Sequence, residues 1–279
     1  AQSDYNIVDA TPFGRDVIKE LADACHRHGI KLHFYYSHID WTRDDYPHGR
    51  TGRGTGKDPD KADWPSYYAF MNRQLTELLT QYGEVGAIWF DGMWDKTDVD
   101  WEEDALYGTI RKYQPEAMII NNTGLGKRGE LGHPEIDAVT YEQGRPEPLD
   151  RTGMTKYITG EMCYTMNEHW AVGYNDLDYK STRELIECLC DCRNVGANLL
   201  LNIGPTAQGG IIPIQRELMN IIGDWMKIFG EAIYEGKPYA HHSLGNHKIL
   251  KGDGCLYIFA YDLGKLGHKN VTVPGKYCG

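Results

Sequence analysis

The chain has 279 residues, of which 41% are hydrophobic, and it carries a formal net charge of −11. This length and apolar content suffice for one large domain, or for a large and a small one, with a buried core. The acidic balance and the lack of a basic, aromatic-rich stretch argue against a nucleic-acid partner, and no apolar run is long enough to cross a membrane.

Helices and strands are predicted to alternate along residues 1–229, which is the pattern of a parallel sheet with crossover helices. In chain order we predict a helix over 13–29, a strand over 31–37, a helix over 67–82, a strand over 85–91, a helix over 103–113, strands over 117–121, 138–142 and 157–163, a helix over 182–195, a strand over 198–203 and a helix over 214–229. Six strands are two fewer than those of an eight-stranded (β/α) barrel.

The pattern changes after residue 229, where short alternating runs occur at 247–250, 255–261 and 270–273. Such runs, bounded by glycine and aspartate, are typical of an antiparallel sheet. We therefore predict an incomplete barrel over 1–229 and the beginning of a C-terminal β-sandwich domain over 230–279.

The glycine-rich segment 49–56 lacks the spacing of a phosphate-binding loop, and we interpret it as a mobile loop at the barrel mouth.

The seven cysteines are an odd number without the spacing of a disulfide framework. Cys188, Cys190 and Cys192 lie close together, but side chains two positions apart on a helix point to different sides. Buried free thiols are therefore expected, without a metal site. Unpaired thiols favour a reducing, cytoplasmic location, although the sequence decides neither for nor against a signal peptide. It gives no indication of oligomeric state.

The clearest functional signal is the predicted strand 85–91, an apolar run that ends on Trp89, Phe90 and Asp91 and is followed by Gly92. Catalytic groups of parallel α/β folds gather at the carboxyl ends of the strands. Asp91 is therefore a candidate catalytic carboxylate, and the alternative is an aspartate that caps the next helix.

Aromatic, amide and carboxylate side chains follow the other strands as well, including Tyr35, Tyr36, Asn121, Glu142 and Glu161. Sugars present apolar faces that stack on aromatic rings and hydroxyl groups that need polar partners. Cleavage of a glycoside needs two acids, one to attack or to activate water and one to protonate the leaving oxygen. These residues fit a glycosidase, and they would also fit a sugar-binding protein.

Five segments, in matching order, resemble the α-L-fucosidases of glycoside hydrolase family 29 over nearly the whole chain. They are residues 4–16, the YYS…DW pattern at 35–41, IWFDG at 88–92, the EMC…W…GY pattern at 161–174 and LLLNIGP at 199–205. The resemblance implies a (β/α)8-like barrel and a retaining, exo-acting α-L-fucosidase without cofactor or metal. Its substrate would be a fucosylated oligosaccharide or glycoconjugate.

The resemblance also implies that the chain is a fragment. The first strands of the family's barrel, which supply its fucose-binding histidines, are expected before residue 1, and the end of the C-terminal β domain after residue 279. A catalytically inactive carbohydrate-binding relative, or a retaining glycosidase for another sugar on the same barrel, remains the alternative function.

By this resemblance Asp91 is the nucleophile that forms a covalent fucosyl intermediate, and Trp89 lines the sugar pocket. Tyr36 is expected to contact the sugar, with Tyr35 as the competing choice, because alternate residues of a strand face opposite sides. The family's NDR or NNR turn, whose arginine reaches the site in some members, reads Asn-Asn-Thr at 121–123 here, so that contact is absent or comes from elsewhere.

The acid/base is expected at Glu142, because TYEQ at 140–143 resembles the TPEQ-like stretch that carries the acid in many members of the family. Rival candidates are Glu135, Glu147 and Glu161, of which Glu161 could instead have a structural role. To act near neutral pH, the acid would need a raised pKa, from an apolar wall or from proximity to Asp91.

Two further candidates come from the EMC…W…GY segment. Trp170 is expected to form a wall of the sugar pocket, and ordinary packing in the core is the alternative. His169, beside it, is either a substrate-binding residue or a solvated loop histidine.

Overall fold

A computed structural model describes residues 1–47, 50–52, 55–262 and 270–275. Contacts within the chain divide it into two compact units, Ala1–Val139 and Thr140–Gly279. No helix among the described residues is long and apolar enough to span a membrane.

The first unit alternates helices and parallel strands. Its elements are α1 (Val17–His28), β1 (Leu32–Ser37), α2 (Trp64–Gln81), β2 (Val85–Asp91), α3 (Glu103–Tyr113), β3 (Met118–Asn121) and the start of β4 (Ala138–Thr140), with 3₁₀ turns at Pro59–Lys61 and Met93–Asp95. β1 pairs with β2, β2 with β3 and β3 with β4, all in parallel. The register sets Tyr35 opposite Trp89 and Ser37 opposite Asp91.

Helix ends in this unit follow local sequence signals. α1 begins at Asp16, whose side chain accepts a hydrogen bond from the Lys19 amide, and it ends at Gly29 in the left-handed conformation. Ile88 and Phe90 of β2 are fully buried in a core that also contains residues of α2 and α3, and the Phe90 ring contacts that of Tyr107 on α3. Burial of each such side chain contributes about 1.5–3 kcal/mol, so this central strand is held firmly in place.

The second unit contains parallel strands followed by an antiparallel sheet. Its elements are β5 (Thr159–Thr165), α4 (Thr182–Val195), β6 (Ala197–Asn202), α5 (Pro213–Tyr234), β7 (Lys237–Leu244), β8 (His247–Lys251) and β9 (Leu256–Phe259). β5 and β6 pair in parallel over most of their length, whereas β7, β8 and β9 form an antiparallel sheet. Asn194 of α4 donates to the carbonyls of His242 and Ile249, each at 2.9 Å, and so connects the helix to that sheet.

These elements confirm the predicted fold class, an α/β chain with parallel strands followed by an antiparallel domain. β2, α3 and α4 have the bounds that the sequence predicts. Several details were wrong: β7 was not predicted, α5 continues past residue 229 to Tyr234, residues 270–273 form no strand, and α1, β4 and β5 differ from their predicted bounds by up to four residues. The boundary at 229/230 stays a prediction, and the glycine-rich loop 49–56 falls partly outside the described residues.

The described cysteines have free thiols, and Cys163, Cys188, Cys190 and Cys192 are buried as predicted. Cys255 is exposed, and Cys278 lies outside the described part of the chain.

Candidate active site

Asp91 is the last residue of β2 and therefore lies at the carboxyl end of the parallel strands of the first unit. The next residue, Gly92, has φ of 102°, and a Cβ at this position would lie 2.8 Å from Cγ1 of Ile39. Backbone conformation and space both require glycine here. The sharp turn after Gly92 brings the 3₁₀ turn Met93–Asp95 back toward the Asp91 side chain.

The two carboxylate oxygens of Asp91 have different surroundings. Among the described residues, Oδ1 accepts three hydrogen bonds, from the Gly92 amide at 2.8 Å, from Nε1 of Trp94 at 2.8 Å and from Nδ2 of Asn122 at 3.1 Å. From the same part of the chain, Oδ2 accepts one, from the hydroxyl of Tyr35 at 2.6 Å. These donors come from β1, from the turn after β2 and from the segment after β3, so the sheet itself fixes the orientation of the carboxylate.

An aromatic surface lies beside this carboxylate. The rings of Tyr35 and Trp89 are stacked, with centroids 5.5 Å apart and planes 20° apart. Tyr35 is 64% exposed, whereas Trp89 is half-buried. Trp89 and Asp91 are two positions apart on β2, so their side chains share one face. A carboxylate beside an aromatic face is the combination that sugar recognition and glycoside chemistry require.

Tyr36 lies on the opposite side of β1. It is only 7% exposed, its hydroxyl donates to Oε1 of Gln74 at 2.8 Å, and its ring packs edge-on against Phe90. Burial raises the pKa of Tyr36 above its ordinary value. The structure thus brings Tyr35, the competing choice of the sequence analysis, to Asp91 and places Tyr36 in the core of the unit.

His38 directly follows β1, and the sequence assigned it no role in this site. Its amide and its Nδ1 lie 2.7 and 3.0 Å from the carbonyl oxygen of Asp91, and its ring lies between Phe90 and Trp101. The carbonyl can only accept, so Nδ1 carries the proton. Burial lowers the pKa of His38 to about 4, against the smaller effect of the Asp91 hydrogen bond. One feature of the sequence could have indicated this burial. Leu32, Phe34 and Tyr36 are the buried side chains of β1, and His38 is the next residue in the same alternation.

Glu142, the expected acid/base, follows β4 in the second unit and is half-buried. The amides on either side of it, those of Tyr141 and Gln143, donate to the carbonyls of Glu161 and Cys163 at 2.8 and 2.9 Å. Gln143 has a left-handed φ of 51°. The backbone of this segment therefore continues along β5 past the end of β4 and turns sharply after Glu142.

Glu135, a rival acid, lies at the wrong end of the strands of its unit. Its Oε2 accepts from Nε of Arg111 at 2.7 Å, and Arg111 also donates to the carbonyl of Ala117, the residue before β3. This pair therefore sits at the amino end of β3, whereas Asp91 sits at the carboxyl end of its parallel neighbour β2. The structure does not bring Glu135 to the candidate nucleophile.

The other two rivals belong to the second unit. Oε2 of Glu161 accepts from Nδ2 of Asn198 at 2.9 Å, which links β5 to β6 within the sheet. Glu147 has an exposed side chain, and its backbone carbonyl accepts from the Tyr141 hydroxyl at 3.4 Å. The Glu161 geometry fits the structural role considered for it.

Trp170 and His169 lie in the loop that follows β5. The carbonyl of Trp170 accepts from Nδ2 of Asn202, the last residue of β6, at 2.7 Å, so this part of the loop lies at the carboxyl end of that strand. The Trp170 side chain is 42% exposed. His169 is also exposed, and its Nδ1 lies 2.7 Å from Oδ2 of Asp176, a contact that lowers the pKa of Asp176.

Comparison with known proteins shows which family this chain resembles. The model of the family described as "Alpha-L-fucosidase" matches residues 1–231. The chain belongs to the α-L-fucosidase family. The resemblance noted in the sequence is therefore confirmed, and with it membership in a family of glycoside hydrolases.

Individual α-L-fucosidases are similar in sequence and in structure. Tissue α-L-fucosidase of Mus musculus is 28% identical over 253 residues, which cover 88% of this chain and 52% of that protein. Isoenzyme 1 from Paenibacillus thiaminolyticus superposes with a TM-score of 0.76 at 32% identity, covering 92% of this chain and 62% of that one. An enzyme from Lactobacillus casei, in a singly substituted form bound to Fuca(1,6)GlcNAc, gives a TM-score of 0.63 at 26% identity and covers 82% and 71% of the two chains.

The chain thus spans about half the length of the curated relatives that it matches. Among its described residues, no group of three or more histidine, cysteine, aspartate or glutamate side chains is arranged to hold a metal ion.

Proposed function

We propose that the protein is a retaining, exo-acting α-L-fucosidase that hydrolyses terminal α-L-fucose from oligosaccharides or glycoconjugates. The observation that carries this proposal is the Asp91 carboxylate, which is oriented at a strand end beside the stacked rings of Tyr35 and Trp89. Fucose has an apolar face and a methyl group that suit these rings, and its anomeric carbon would then face Asp91.

The reaction would proceed in two displacements. Asp91 attacks the anomeric carbon, and the leaving-group oxygen takes the bonding electron pair together with a proton from Glu142. Glu142, now ionised, removes a proton from water, and the water oxygen displaces Asp91 from the anomeric carbon. Two inversions return the original configuration, and the two carboxyl groups of such an enzyme approach to about 5–5.5 Å in the liganded site.

Substrate selectivity tests the sugar. The full-length protein should release nitrophenol from the 4-nitrophenyl α-L-fucoside and not from the α-D-mannoside or the β-D-galactoside. Cleavage of another glycoside in preference would establish a different sugar on the same barrel. Binding of fucose without cleavage of any glycoside would establish an inactive carbohydrate-binding relative.

The stereochemical course tests the two-step mechanism separately. Proton NMR of a fresh reaction should show α-L-fucose before the β anomer forms by mutarotation. Release of β-L-fucose first would mean a single displacement by water, with Asp91 as a base rather than a nucleophile.

A further inference from the structure

The unequal hydrogen bonding of the Asp91 carboxylate assigns different roles to its two oxygens. Among the described residues, Oδ1 accepts from three donors, whereas Oδ2 accepts from Tyr35 alone. A carboxylate oxygen has two lone pairs, so Oδ2 keeps one for a new bond. Oδ2 is therefore the oxygen that can attack a sugar, and Oδ1 is the oxygen that the protein holds.

The position of the Trp94 indole is set by a backbone contact and by the next residue of the turn. A Cβ at Gly124 would lie 3.0–3.2 Å from atoms of Trp94, so the ring lies directly against the Gly124 backbone. The next residue, Asp95, is buried and accepts from the hydroxyls of Tyr46 and Thr51, each at 2.8 Å. The indole N–H can only donate, and its position on Oδ1 is thus built into the turn that follows the nucleophile.

We propose that Trp94 is a positioning residue that speeds departure of Asp91 from the fucosyl intermediate, an inference that rests on the proposed function. Its N–H, together with those of Gly92 and Asn122, stabilises negative charge on Oδ1. This charge is lost when Oδ2 attacks and is regained when Asp91 leaves. The donors therefore assist the second step and not the first.

The electron flow of the two steps makes this difference explicit. In the first step a lone pair of Oδ2 forms the bond to the anomeric carbon, and the electron pair of the broken glycosidic bond goes to the leaving oxygen, which is protonated. In the second step a lone pair of the water oxygen forms the new bond, and the electron pair of the ester bond returns to Asp91. Hydrogen bonds to an ionised acceptor are stronger than those to a neutral one, so the Trp94 bond strengthens as the carboxylate reforms.

Steady-state kinetics of Trp94→Phe in the full-length protein test this role. With an aryl fucoside whose good leaving group makes the second step rate-limiting, kcat should fall about tenfold and KM should fall with it, because a hydrogen bond to the departing carboxylate is lost. The value of kcat/KM, which reports the first step, should stay within about twofold of wild type. Intact-protein mass spectrometry during turnover should show a larger fraction of fucosylated enzyme.

Trp101→Phe is the matched control. Its indole donates to the carbonyl of Lys96 at 3.0 Å rather than to a carboxylate, and its side chain is buried. The control should lower the melting temperature while leaving both kcat and KM close to wild type. The same fall of kcat and KM in both variants would overturn the proposal, since it would reflect loosened packing.

A second replacement tests the role of Trp94 if the Trp94→Phe variant folds poorly. Replacement of Trp94 by 3-benzothienylalanine keeps the shape of the ring and removes the N–H, and it should reproduce the fall in kcat and KM. A loss confined to kcat/KM, or no change, would contradict the proposal. Full activity of Asp91→Gly would remove Asp91 as the nucleophile, and a wild type without α-L-fucosidase activity would remove the proposed function. An active wild type, an inactive Asp91→Gly and a Trp94→Phe variant with wild-type kinetics would remove only the role of Trp94.

Discussion

The surroundings of Asp91 in the first unit and those of His169 in the second differ in how the side chain is held. Within the described chain, Asp91 accepts from four donors, of which Tyr35 lies on β1, Gly92 and Trp94 follow β2, and Asn122 follows β3. His169 is exposed, and its hydrogen-bond partner, Asp176, belongs to the same loop. A fixed orientation raises the rate at which a side chain reacts with a substrate atom. A side chain in a loop that only binds the sugar can change its conformation when the sugar binds.

The segments that carry Glu142 and Trp170 do not differ in this way, because both are held through their backbones. The backbone beside Glu142 is tied to β5 by two amide hydrogen bonds, and Trp170 is tied to β6 through its carbonyl, while its side chain is exposed. In both cases the backbone is fixed. We therefore expect changes at Asp91 to affect the chemical step most, and changes in the loop to affect binding.

The largest effect is expected from Asp91→Gly. Loss of the nucleophile should reduce kcat by about 10⁴-fold or more, because no covalent intermediate can form. Azide is small enough to enter the space left by the side chain, and it should then yield a fucosyl azide of inverted configuration. Residual activity above about one tenth of wild type would show that the rigid carboxylate is not the nucleophile.

Glu142→Ala should produce a loss that depends on the leaving group. A general acid contributes about 10²–10⁴-fold, and this contribution matters for alkyl or sugar leaving groups, which need protonation. Fucosides of acidic phenols should be cleaved in the first step at nearly the normal rate. Equal losses on both types of substrate would count against Glu142, and Glu161→Ala, measured in parallel, distinguishes the rival.

Tyr35→Phe and Tyr36→Phe form a pair of adjacent substitutions with different expected outcomes. Removal of the Tyr35 hydroxyl takes a donor from Oδ2 of Asp91. With a substrate whose second step limits the rate, it should lower kcat about 10- to 100-fold, because a hydrogen bond to the re-forming carboxylate is lost. Removal of the Tyr36 hydroxyl leaves the half-buried Gln74 without that partner. It should cost about 1–2 kcal/mol in the free energy of unfolding and little activity. The reverse pattern would restore Tyr36 as the sugar contact.

The smallest effect concerns stability rather than catalysis. Burial lowers the pKa of His38 to about 4 from its ordinary value of 6.5. Between these two values the unfolded chain binds a proton that the folded chain does not. The free energy of unfolding should therefore fall as the pH drops from about 6.5 to about 4, by up to about 3 kcal/mol.

Denaturant unfolding of wild type and His38→Asn at several pH values checks this expectation. The asparagine amide can still donate to the Asp91 carbonyl but does not titrate, so the variant should lose this part of the pH dependence. An unchanged slope in the variant would assign the pH dependence to other groups.

Sequence reasoning succeeded where one signal dominates. The apolar run that ends in Asp91 and Gly92 predicted β2 with its observed bounds, because a buried strand followed by an obligatory glycine turn leaves little choice. The predicted bounds of α4 also agree with the structure, in which Ser181 and Gly196 cap the helix. The position of Asp91 at a strand end follows directly from these local rules.

Sequence reasoning could not decide features that depend on packing. Tyr35 and Tyr36 are adjacent and chemically identical, and only the register with β2 shows which one faces Asp91. β7 carries His241 and His242 and has exposed positions on both faces, so no alternation of apolar residues marks it as a strand. The hydrogen bonds of Trp94 and Asn122 to Asp91 arise from turns that sequence patterns do not specify.

The residue that becomes covalently fucosylated identifies the nucleophile. A 2-deoxy-2-fluoro-α-L-fucosyl fluoride slows both steps while its activated leaving group favours the first, so the intermediate should accumulate. Peptide mapping by mass spectrometry of the inactivated full-length protein should then place one fluorofucosyl group on Asp91. A label on Glu142 or on Glu161 instead would contradict the assignment of the hydrogen-bonded strand-end carboxylate as the nucleophile.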